Sequence, residues 1–502
     1  MSDAGHLALA NMTVLPVALP MAAAVVLVLT RRQRVVSRVI SMTANLAGLV
    51  AAFALVRVVA EEGIQVLAFG GWKAPFGIVF AVDMLGALMV AVTMVVSTAT
   101  LLFACFSMDK QRETHFFYPL FQFLLMGTNG AFLTGDLFNL FVWFEVLLLA
   151  SYGLMALGGR PYQLQETFKY LVINALASAL FLVGIAVVYA LCGTLNMADL
   201  HLRLADVGSP ALRGAVALLF MVVFGVKAGV FPLYMWLPRS YFAPPAVVSA
   251  LFGGLLTKVG VYALFRMVTL VFAEGAPFTL PVLVVVAAAT MFFGVIGALS
   301  QWDFKRILSY HIISQVGYMI MGLAIFTPLA LAGGIFYIVH HIMVKTALFL
   351  VAGVVERKRG TTFLSSLGGV LETAPVLTAL FVVAGLSLAG VPPLSGFVAK
   401  LMLVKGGLEA GSYGVVSVSV VVSFLTLFSM MKVYRYVFWG VPRGLDAHDG
   451  GEGARVASVL LLVGLGVILG LGAGWAMPYA ELAAHQLLDT EAYVAAVLGG
   501  RL

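Results

Sequence analysis

The sequence predicts an all-α polytopic membrane protein with about 14 transmembrane helices, two inverted five-helix repeats and broken helices 7 and 12. Three observations support this prediction: 62% of the 502 residues are hydrophobic and 10% are charged, apolar stretches recur along the chain, and prolines interrupt two of them. Soluble proteins carry about 25% charged residues, and one crossing takes about 20 apolar residues. The composition therefore leaves almost no room for a soluble catalytic domain.

Fourteen apolar stretches are long enough to cross a bilayer. They run over residues 12–30, 38–60, 79–106, 115–134, 137–157, 169–193, 212–238, 247–271, 279–300, 305–325, 328–353, 375–404, 413–438 and 457–480. The chain is predicted to be one transmembrane domain over 1–502. Its parts are helices 1 to 3 in 1–114, a first repeat of helices 4 to 8 in 115–271, an inverted second repeat of helices 9 to 13 in 279–438, and helix 14 in 457–480.

The lysines and arginines indicate how the chain is oriented in the membrane. Of these 29 residues, 18 lie at odd-numbered loops, seven lie on the other side with Arg266 among them, and four lysines lie inside spans. Because cytoplasmic loops carry the excess of positive charge, we expect odd-numbered loops to be cytoplasmic and both termini to be outside. The net charge of +7 therefore reflects topology, and no nucleic-acid partner is expected.

Prolines interrupt spans seven and twelve. Pro232 follows Lys227 by five residues, and Lys400 follows the Pro392-Pro393 pair by seven residues. Proline removes a backbone donor and clashes with the preceding turn, so we expect each helix to break near the middle of the membrane. Two broken helices five spans apart indicate an internal repeat. Because five is odd, the second copy is expected to be inverted, as in many secondary transporters.

Ionisable residues inside the spans are the candidate functional residues. One ionised side chain at the bilayer centre costs about 3 kcal/mol on the insertion scale, so such residues are rare without a function. The candidates are Glu145 in span five, Lys227 in span seven, Lys258 in span eight, His340, His341 and Lys345 in span eleven, and Lys400 in span twelve. Tyr337, His341 and Lys345 are spaced four residues apart and share one helix face.

Each candidate also has a structural interpretation. Lys258 and Lys400 could extend to the membrane interface, Glu145 could be a counter-ion, and His340 could be a satisfied core histidine. Asp83, which opens span three, is expected to be a structural partner or a cap. The sequence does not decide which of the adjacent histidines faces the other candidates.

As a set, one carboxylate, four lysines and two histidines exceed what packing needs. Proton transfer suits such a set, because burial and neighbouring charges decide whether a lysine or histidine holds its proton. Polar residues on adjoining spans either hold water between the candidates or form interhelical hydrogen bonds only. These polar residues are Asn174, Ser178, His311, Gln315 and Tyr318.

Motifs for nucleotide phosphates, metal ions and nucleophilic triads are missing from the sequence. We therefore expect no cofactor and no metal ligands, and we do not expect an enzyme. Cys105 and Cys192 fall near opposite membrane faces in the predicted topology, so a disulfide between them is not expected.

Several runs resemble the antiporter-like membrane subunits shared by respiratory complex I, membrane hydrogenases and Mrp multisubunit Na+/H+ antiporters. They are Lys227-Ala-Gly-Val-Phe-Pro-Leu-Tyr-Met-Trp-Leu-Pro238, Ala243-Pro-Pro and Leu255-Leu-Thr-Lys258-Val-Gly-Val-Tyr-Ala-Leu-Phe-Arg266. The similarity extends over nearly the entire chain. The Leu237-Pro-Arg-Ser-Tyr241 turn and the stretch from Phe144 to Tyr152 resemble the D-type branch of the Mrp antiporters most.

The resemblance implies a proton-translocating subunit of an Na+/H+ antiporter in the cytoplasmic membrane, moving H+ directly and Na+ indirectly. Its implied partners are a large A-type subunit and small membrane subunits. It also implies that Glu145 pairs with Lys227, that Lys258 is the central lysine, that span eleven links the two halves, and that Lys400 is the outlet lysine. The alternatives are a proton-pumping subunit of a complex I-like dehydrogenase or membrane hydrogenase, and a structural scaffold. The sequence leaves the coupling ion open.

Overall fold

The computed structural model describes residues 11–273, 276–443 and 451–499 and shows a bundle of long helices. Eleven helices in the described ranges are long and apolar enough to cross a membrane, and Leu15–Thr30 and Pro375–Ala389 are shorter apolar helices. Each of the fourteen predicted stretches contains helix. The predicted all-α membrane fold is therefore confirmed, while the count of fourteen crossings stays a prediction.

The long helices are labelled in chain order. The first eight are α1 Leu15–Thr30, α2 Arg34–Glu62, α3 Met84–Ser107, α4 Tyr118–Leu133, α5 Leu137–Ala156, α6 Pro161–Cys192, α7 Pro210–Ala228 and α8 Ala246–Val271. The others are α9 Ala276–Ser300, α10 Phe304–Ile325, α11 Pro328–Arg359, α12 Pro375–Ala389, α13 Ser395–Glu409, α14 Tyr413–Val433, α15 Glu452–Leu471 and α16 Ala473–Leu488. Short α-helical segments are Lys110–Arg112, Met197–Ala205, Leu237–Ser240, Val370–Thr373 and Thr490–Leu498. Single 3-10 or π turns are Phe69–Gly71, Glu113–Phe117, Met267–Val271, Leu364–Ser366 and Tyr434–Phe438.

The prediction that span three begins at residue 79 was wrong. Strands β1 Gln65–Ala68 and β2 Val79–Val82 form an antiparallel pair, so the first residues of that apolar stretch belong to a hairpin. The helix begins only after Asp83, whose side chain accepts a hydrogen bond of 2.9 Å from Gly86 N. Such an N-cap satisfies a free backbone donor and sets the start of α3.

Arg266 is a buried helix residue and not a loop residue, which corrects its place in the charge count. Its guanidinium is 2% exposed and lies 2.8 Å from the Asp83 carboxylate, which is fully buried. Arg266 also donates to Tyr262 Oη at 3.2 Å. Asp83 is therefore a cap and an ion-pair partner, as the sequence predicted.

Both predicted helix breaks are present. α7 ends at Gly229 and α12 ends at Gly390, and both glycines adopt left-handed conformations that close the last turn. After Gly390 the chain resumes as α13 at Ser395, whereas after Gly229 it forms turns up to Trp236. The prolines explain why neither helix continues directly, because they cannot donate to the preceding turn.

The centre of the bundle consists of α8, α10 and α11. The most apolar windows of these helices are 100%, 94% and 94% buried, whereas those of the other spanning helices range from 33% to 72%. Helices that are covered on every side need no lipid-facing apolar surface. Polar side chains on these three helices can therefore face one another inside the protein.

Candidate functional site

The predicted site residues lie on α5, α7, α8, α11 and α13. Glu145 is half-buried. The others are 7% exposed or less: Lys227, Lys258, His340, His341, Lys345 and Lys400. In the part of the chain that the structure describes, no carboxylate oxygen lies within 4.0 Å of any of these four lysine amines.

Lys227 lies in the last turn of α7, two residues before the break at Gly229. Its amine donates hydrogen bonds to Ser178 Oγ at 2.9 Å and to the carbonyl of Asn174 at 3.3 Å, both on α6. The amine also lies 5.7 Å from the ring centroid of Phe144. A cation is favoured at a helix C-terminus, where the carbonyl dipoles point outward.

Glu145 and Lys227 are not in direct contact, because no carboxylate oxygen lies within 4.0 Å of the Lys227 amine among the described residues. The Oε1 of Glu145 is buried and has no hydrogen-bond partner among the described residues. The carboxylate is still close enough to Lys227 for a Coulomb interaction. The structure thus holds Glu145 near this lysine, separated from direct contact.

Lys258 lies on α8 just after an interruption at Leu255, where the helix is divided into two segments. Its amine donates to the carbonyl of Gly253 at 2.6 Å. Gly260, one half-turn further, packs against the end of α7: a Cβ at Gly260 would lie 2.6 Å from Ala228 N. This close approach brings the helix end that carries Lys227 next to the turn that carries Lys258.

The polar stripe of α11 faces Lys258. His341 and Lys345 both interact electrostatically with Lys258. Neither ring nitrogen of His341 nor the amine of Lys345 has a hydrogen-bond partner among the described residues. One turn earlier, Tyr337 donates to Gln315 Oε1 on α10.

His340 points to the other side of α11, toward α13. Its Nδ1 lies 2.8 Å from Ser395 Oγ, and it interacts electrostatically with Lys400. Gly396 permits this approach, since a Cβ there would lie 1.8 Å from the Ser387 carbonyl oxygen and 2.9 Å from His340 Nε2. The two adjacent histidines therefore face opposite parts of the row.

Lys400 is held by the broken helix itself. Its amine donates to the carbonyls of Leu388 at 3.2 Å and Ala389 at 3.0 Å, and to Ser423 Oγ at 3.1 Å. It also lies 4.4 Å from the ring centroid of Tyr318. Lys400, Ala389, Ser423 and Tyr318 also line a cavity of about 330 Å³ beside α12 and α14. With its amine so bound, Lys400 does not extend to the interface.

One ionisable residue of this region was not among the predicted site residues. His311 on α10 is fully buried, its Nε2 lies 2.8 Å from Ser429 Oγ, and it interacts electrostatically with Lys345 and Lys400. The sequence placed His311 among the residues that hold water or bond helices. The available signal was that His311, Gln315 and Tyr318 follow one another at steps of four and three residues.

Two buried carboxyl groups that lie outside the membrane-spanning segments cap the helices that follow them. Asp136 accepts from Asn139 N at 2.7 Å at the start of α5, and Asp303 accepts from Arg306 N at 3.1 Å at the start of α10. Burial raises the pKa of Asp136 to about 6 and also raises the pKa of Asp303, although the cap hydrogen bonds oppose both shifts. These caps fix the starts of the helices that carry Glu145 and His311.

The helical bundle and its buried row of ionisable side chains define a polytopic ion-transport protein of the membrane. The chain belongs to the family described as NADH:quinone oxidoreductase/Mrp antiporter, TM, whose model matches residues 134–426. This confirms the family that the sequence motifs indicated.

Curated relatives and solved structures agree with this family. The D-type subunit of the Na+/H+ antiporter of Alkalihalophilus pseudofirmus is 49% identical over 97% of this chain and 99% of the relative. The protein of the same name from Bacillus subtilis is 42% identical, with the same coverage of both chains. A chain of the Mrp complex from Dietzia sp. has a TM-score of 0.91 at 34% identity, covering 98% of this chain and 99% of that chain. A chain of an archaeal membrane-bound sulfane sulfur reductase has a TM-score of 0.88 at 26% identity, covering 97% and 100%.

Proposed function

We propose that this chain carries protons for a multisubunit Na+/H+ antiporter along a buried row of amines and imidazoles. The row consists of Lys227, Lys258, His341, Lys345, His340 and Lys400, with Glu145 adjusting the charge on Lys227. One observation carries the proposal: these groups follow one another across neighbouring helices, and the four amines have no carboxylate partner within 4.0 Å among the described residues. The names of the D-type antiporter relatives support the same transport activity.

The chemistry follows from the cost of burying charge. An unpaired buried ion costs several kcal/mol, so a buried amine or imidazole in a dry site loses its proton. Lys345 and His341 have no hydrogen-bond partner among the described residues, and buried polar groups of this kind commonly bind ordered water. Water between such groups lets a proton pass from one to the next.

The proton gradient provides the energy for exchange. Moving one elementary charge through 100 mV is worth about 2.3 kcal/mol. Inward movement of more protons than the Na+ ions expelled therefore uses both the potential and the pH gradient. Na+ leaves through this subunit or through a neighbouring one.

We also propose that predicted spans four to eight and nine to thirteen, in residues 115–271 and 279–438, are inverted repeats. Two helices support this: Pro161–Cys192 and Pro328–Arg359 are each 32 residues long, begin with proline and end at a left-handed glycine, with an offset of 167 residues. The caps Asp136 and Asp303 show the same offset. Each cap also begins an isolated bridge with the same spacing, to Asn196 and to Phe363.

The proposed setting is the cytoplasmic membrane, with both termini outside and the lysine- and arginine-rich loops inside. The partners are a large A-type subunit and small membrane subunits of the antiporter, and the chain acts as a transport subunit and not as an enzyme. The Dietzia Mrp complex, which contains a chain of the same fold, supports this assembly. The asymmetry of the positive charges supports the orientation.

The test is Na+/H+ antiport in everted vesicles from a host without its own Na+/H+ antiporters, expressing the complete complex. Lys227→Met, Lys258→Met and Glu145→Gln are expected to lower the initial rate at least tenfold while the amount of complex on native gels is unchanged. The matched control is Lys405→Met, because Lys405 is an exposed lysine that lies 3.9 Å from Glu409. This control is expected to keep the wild-type rate.

Two outcomes would contradict the proposal. Full activity of all three row variants would favour a structural scaffold. A wild-type complex that moves protons only during respiration, with no response to added Na+, would favour a redox-driven proton pump of the complex I type.

A further inference from the structure

A polar ladder of three side-chain contacts joins α10 and α14. On α14, Ser419, Ser423, Thr426 and Ser429 are spaced by three or four residues and therefore share one face. On α10, Tyr318, Gln315 and His311 face them at the same spacing. The three rungs are Tyr318 Oη to Ser423 Oγ at 2.8 Å, Gln315 Nε2 to Thr426 Oγ1 at 3.5 Å, and His311 Nε2 to Ser429 Oγ at 2.8 Å.

The ladder begins at the row of lysines. Ser423 accepts a hydrogen bond from the amine of Lys400 at 3.1 Å, and Gln315 accepts from Tyr337 on α11. His311 interacts electrostatically with both Lys345 and Lys400. The ladder is therefore hydrogen-bonded to the row at Lys400 and, through Tyr337, to α11, the helix that carries His341 and Lys345.

The ladder ends near the face that is rich in lysine and arginine. At 1.5 Å per residue, Ser423 lies about 14 Å along α14 from Lys432, roughly half of a 30 Å hydrocarbon core. Lys432 donates to the carbonyls of Leu299 at 2.9 Å and Gln301 at 2.7 Å, at the end where α10 begins.

We propose that this ladder is the path by which Lys400 exchanges its proton with the lysine- and arginine-rich face, and that His311 is the residue in it that takes up and releases the proton. This inference rests on the proposed function of the row. It assigns the exit of that row to α10 and α14.

The geometry of His311 suits a relay. Its Nδ1 has no hydrogen-bond partner among the described residues, whereas its Nε2 contacts Ser429. A proton that binds at one ring nitrogen is matched by the release of a proton from the other, so the ring passes one proton on and ends neutral. The bound charge stays on the imidazole only between these two transfers.

Interhelical packing is the competing explanation for the same contacts, and two substitutions separate it from a relay. His311→Gln keeps a polar side chain that can bond Ser429 but cannot take up a proton at neutral pH. His311→Leu removes both abilities. Ser314→Ala is the matched control on α10, because Ser314 is buried and donates to the Met291 carbonyl at 3.0 Å, outside the ladder.

The experiment measures antiport in everted vesicles with the complete complex, normalised to assembled complex on native gels, with Lys258→Met in parallel. We expect His311→Gln and His311→Leu to lower the rate at least tenfold, and Ser314→Ala to stay within twofold of wild type. A normal rate for His311→Gln with an inactive Lys258→Met would overturn the exit path and leave the row intact. Normal antiport rates for both His311→Gln and Lys258→Met would overturn the proposed row as well as the exit path. Equal losses in Ser314→Ala and His311→Gln would assign the effect to packing and overturn the role of His311.

Discussion

The buried ion pair between Asp83 and Arg266 yields a quantitative prediction for stability. The change is Asp83→Asn, which keeps a side-chain oxygen for the N-cap bond to Gly86 and removes only the charge. Breaking one partner of a buried pair costs about 3–5 kcal/mol, because the remaining charge is left uncompensated. Arg266 keeps its contact with Tyr262 Oη and lies 5.2 Å from the ring of Tyr493. We therefore expect Asp83→Asn to lower the free energy of unfolding by about 3 kcal/mol, the lower end of that range.

The assay is the thermal stability of the assembled complex, measured as the fraction that stays monodisperse after heating. Asp83→Asn is expected to lower the midpoint by several degrees, and Asp83→Asn with Arg266→Met is expected to recover most of it, because the unpaired charge is gone. Arg57→Met is the control: its pair with Glu61 is 78% and 57% exposed, and such pairs contribute about 0–1 kcal/mol.

The antiport rate per assembled complex distinguishes a cap from a relay residue. We expect Asp83→Asn to keep this rate, since Asp83 touches none of the row residues in the described structure. An unchanged midpoint, or a loss of normalised antiport as severe as that of Lys258→Met, would refute the reasoning.

Three further predictions concern buried groups near helix ends. Asp136→Asn is expected to stabilise the complex at pH 8 by on the order of 1–3 kcal/mol, seen as a higher heating midpoint. Because the pKa of Asp136 is raised to about 6, its ionisation costs stability as pH rises from about 4 to 6, so the gain should vanish at pH 4. Glu113→Gln is expected to cost about 2 kcal/mol in the same assay, because this buried carboxylate accepts from two arginines and from Tyr118 at 2.6 Å. Gly396→Ala is expected to reduce antiport per complex more than tenfold, since its Cβ would displace His340 from Ser395; a normal rate would contradict that geometry.

Much of the fold could be predicted because hydrophobic length and proline placement are local properties of the sequence. The helices, the breaks after Lys227 and before Lys400, and the structural role of Asp83 follow from them. Helix starts were less certain: residues 79–82 are as apolar as a span but pair as a strand with Gln65–Ala68. Only pairing with a partner strand distinguishes a β-strand from the start of an apolar helix here, and that partner strand is separated from residues 79–82 in the sequence.

The site was harder to predict because contacts between helices depend on packing. Arg266 looked like a loop residue by position, and only its ion pair with Asp83 explains its burial. Spacing alone could not decide whether His311 takes part in proton transfer or only forms an interhelical hydrogen bond. The adjacent His340 and His341 face different partners because α11 turns by about 100° per residue. The roles assigned to the row residues stay predictions until variants are measured.

The partners of the buried basic groups separate structural from transport roles. The buried Arg266 and the half-buried arginines that bind Glu113 are paired with carboxylates, which hold a base in its charged form. Three of the four row lysines instead donate to neutral oxygens: Lys227 to Asn174 and Ser178, Lys258 to Gly253, and Lys400 to Leu388, Ala389 and Ser423. A neutral oxygen accepts a hydrogen bond from an amine whether or not the amine carries its extra proton. The protonated and neutral states therefore stay closer in free energy than they would beside a carboxylate, and that is the condition a proton relay requires. Glu145, the one carboxylate of the set, keeps its distance from Lys227 and so influences its charge without fixing it.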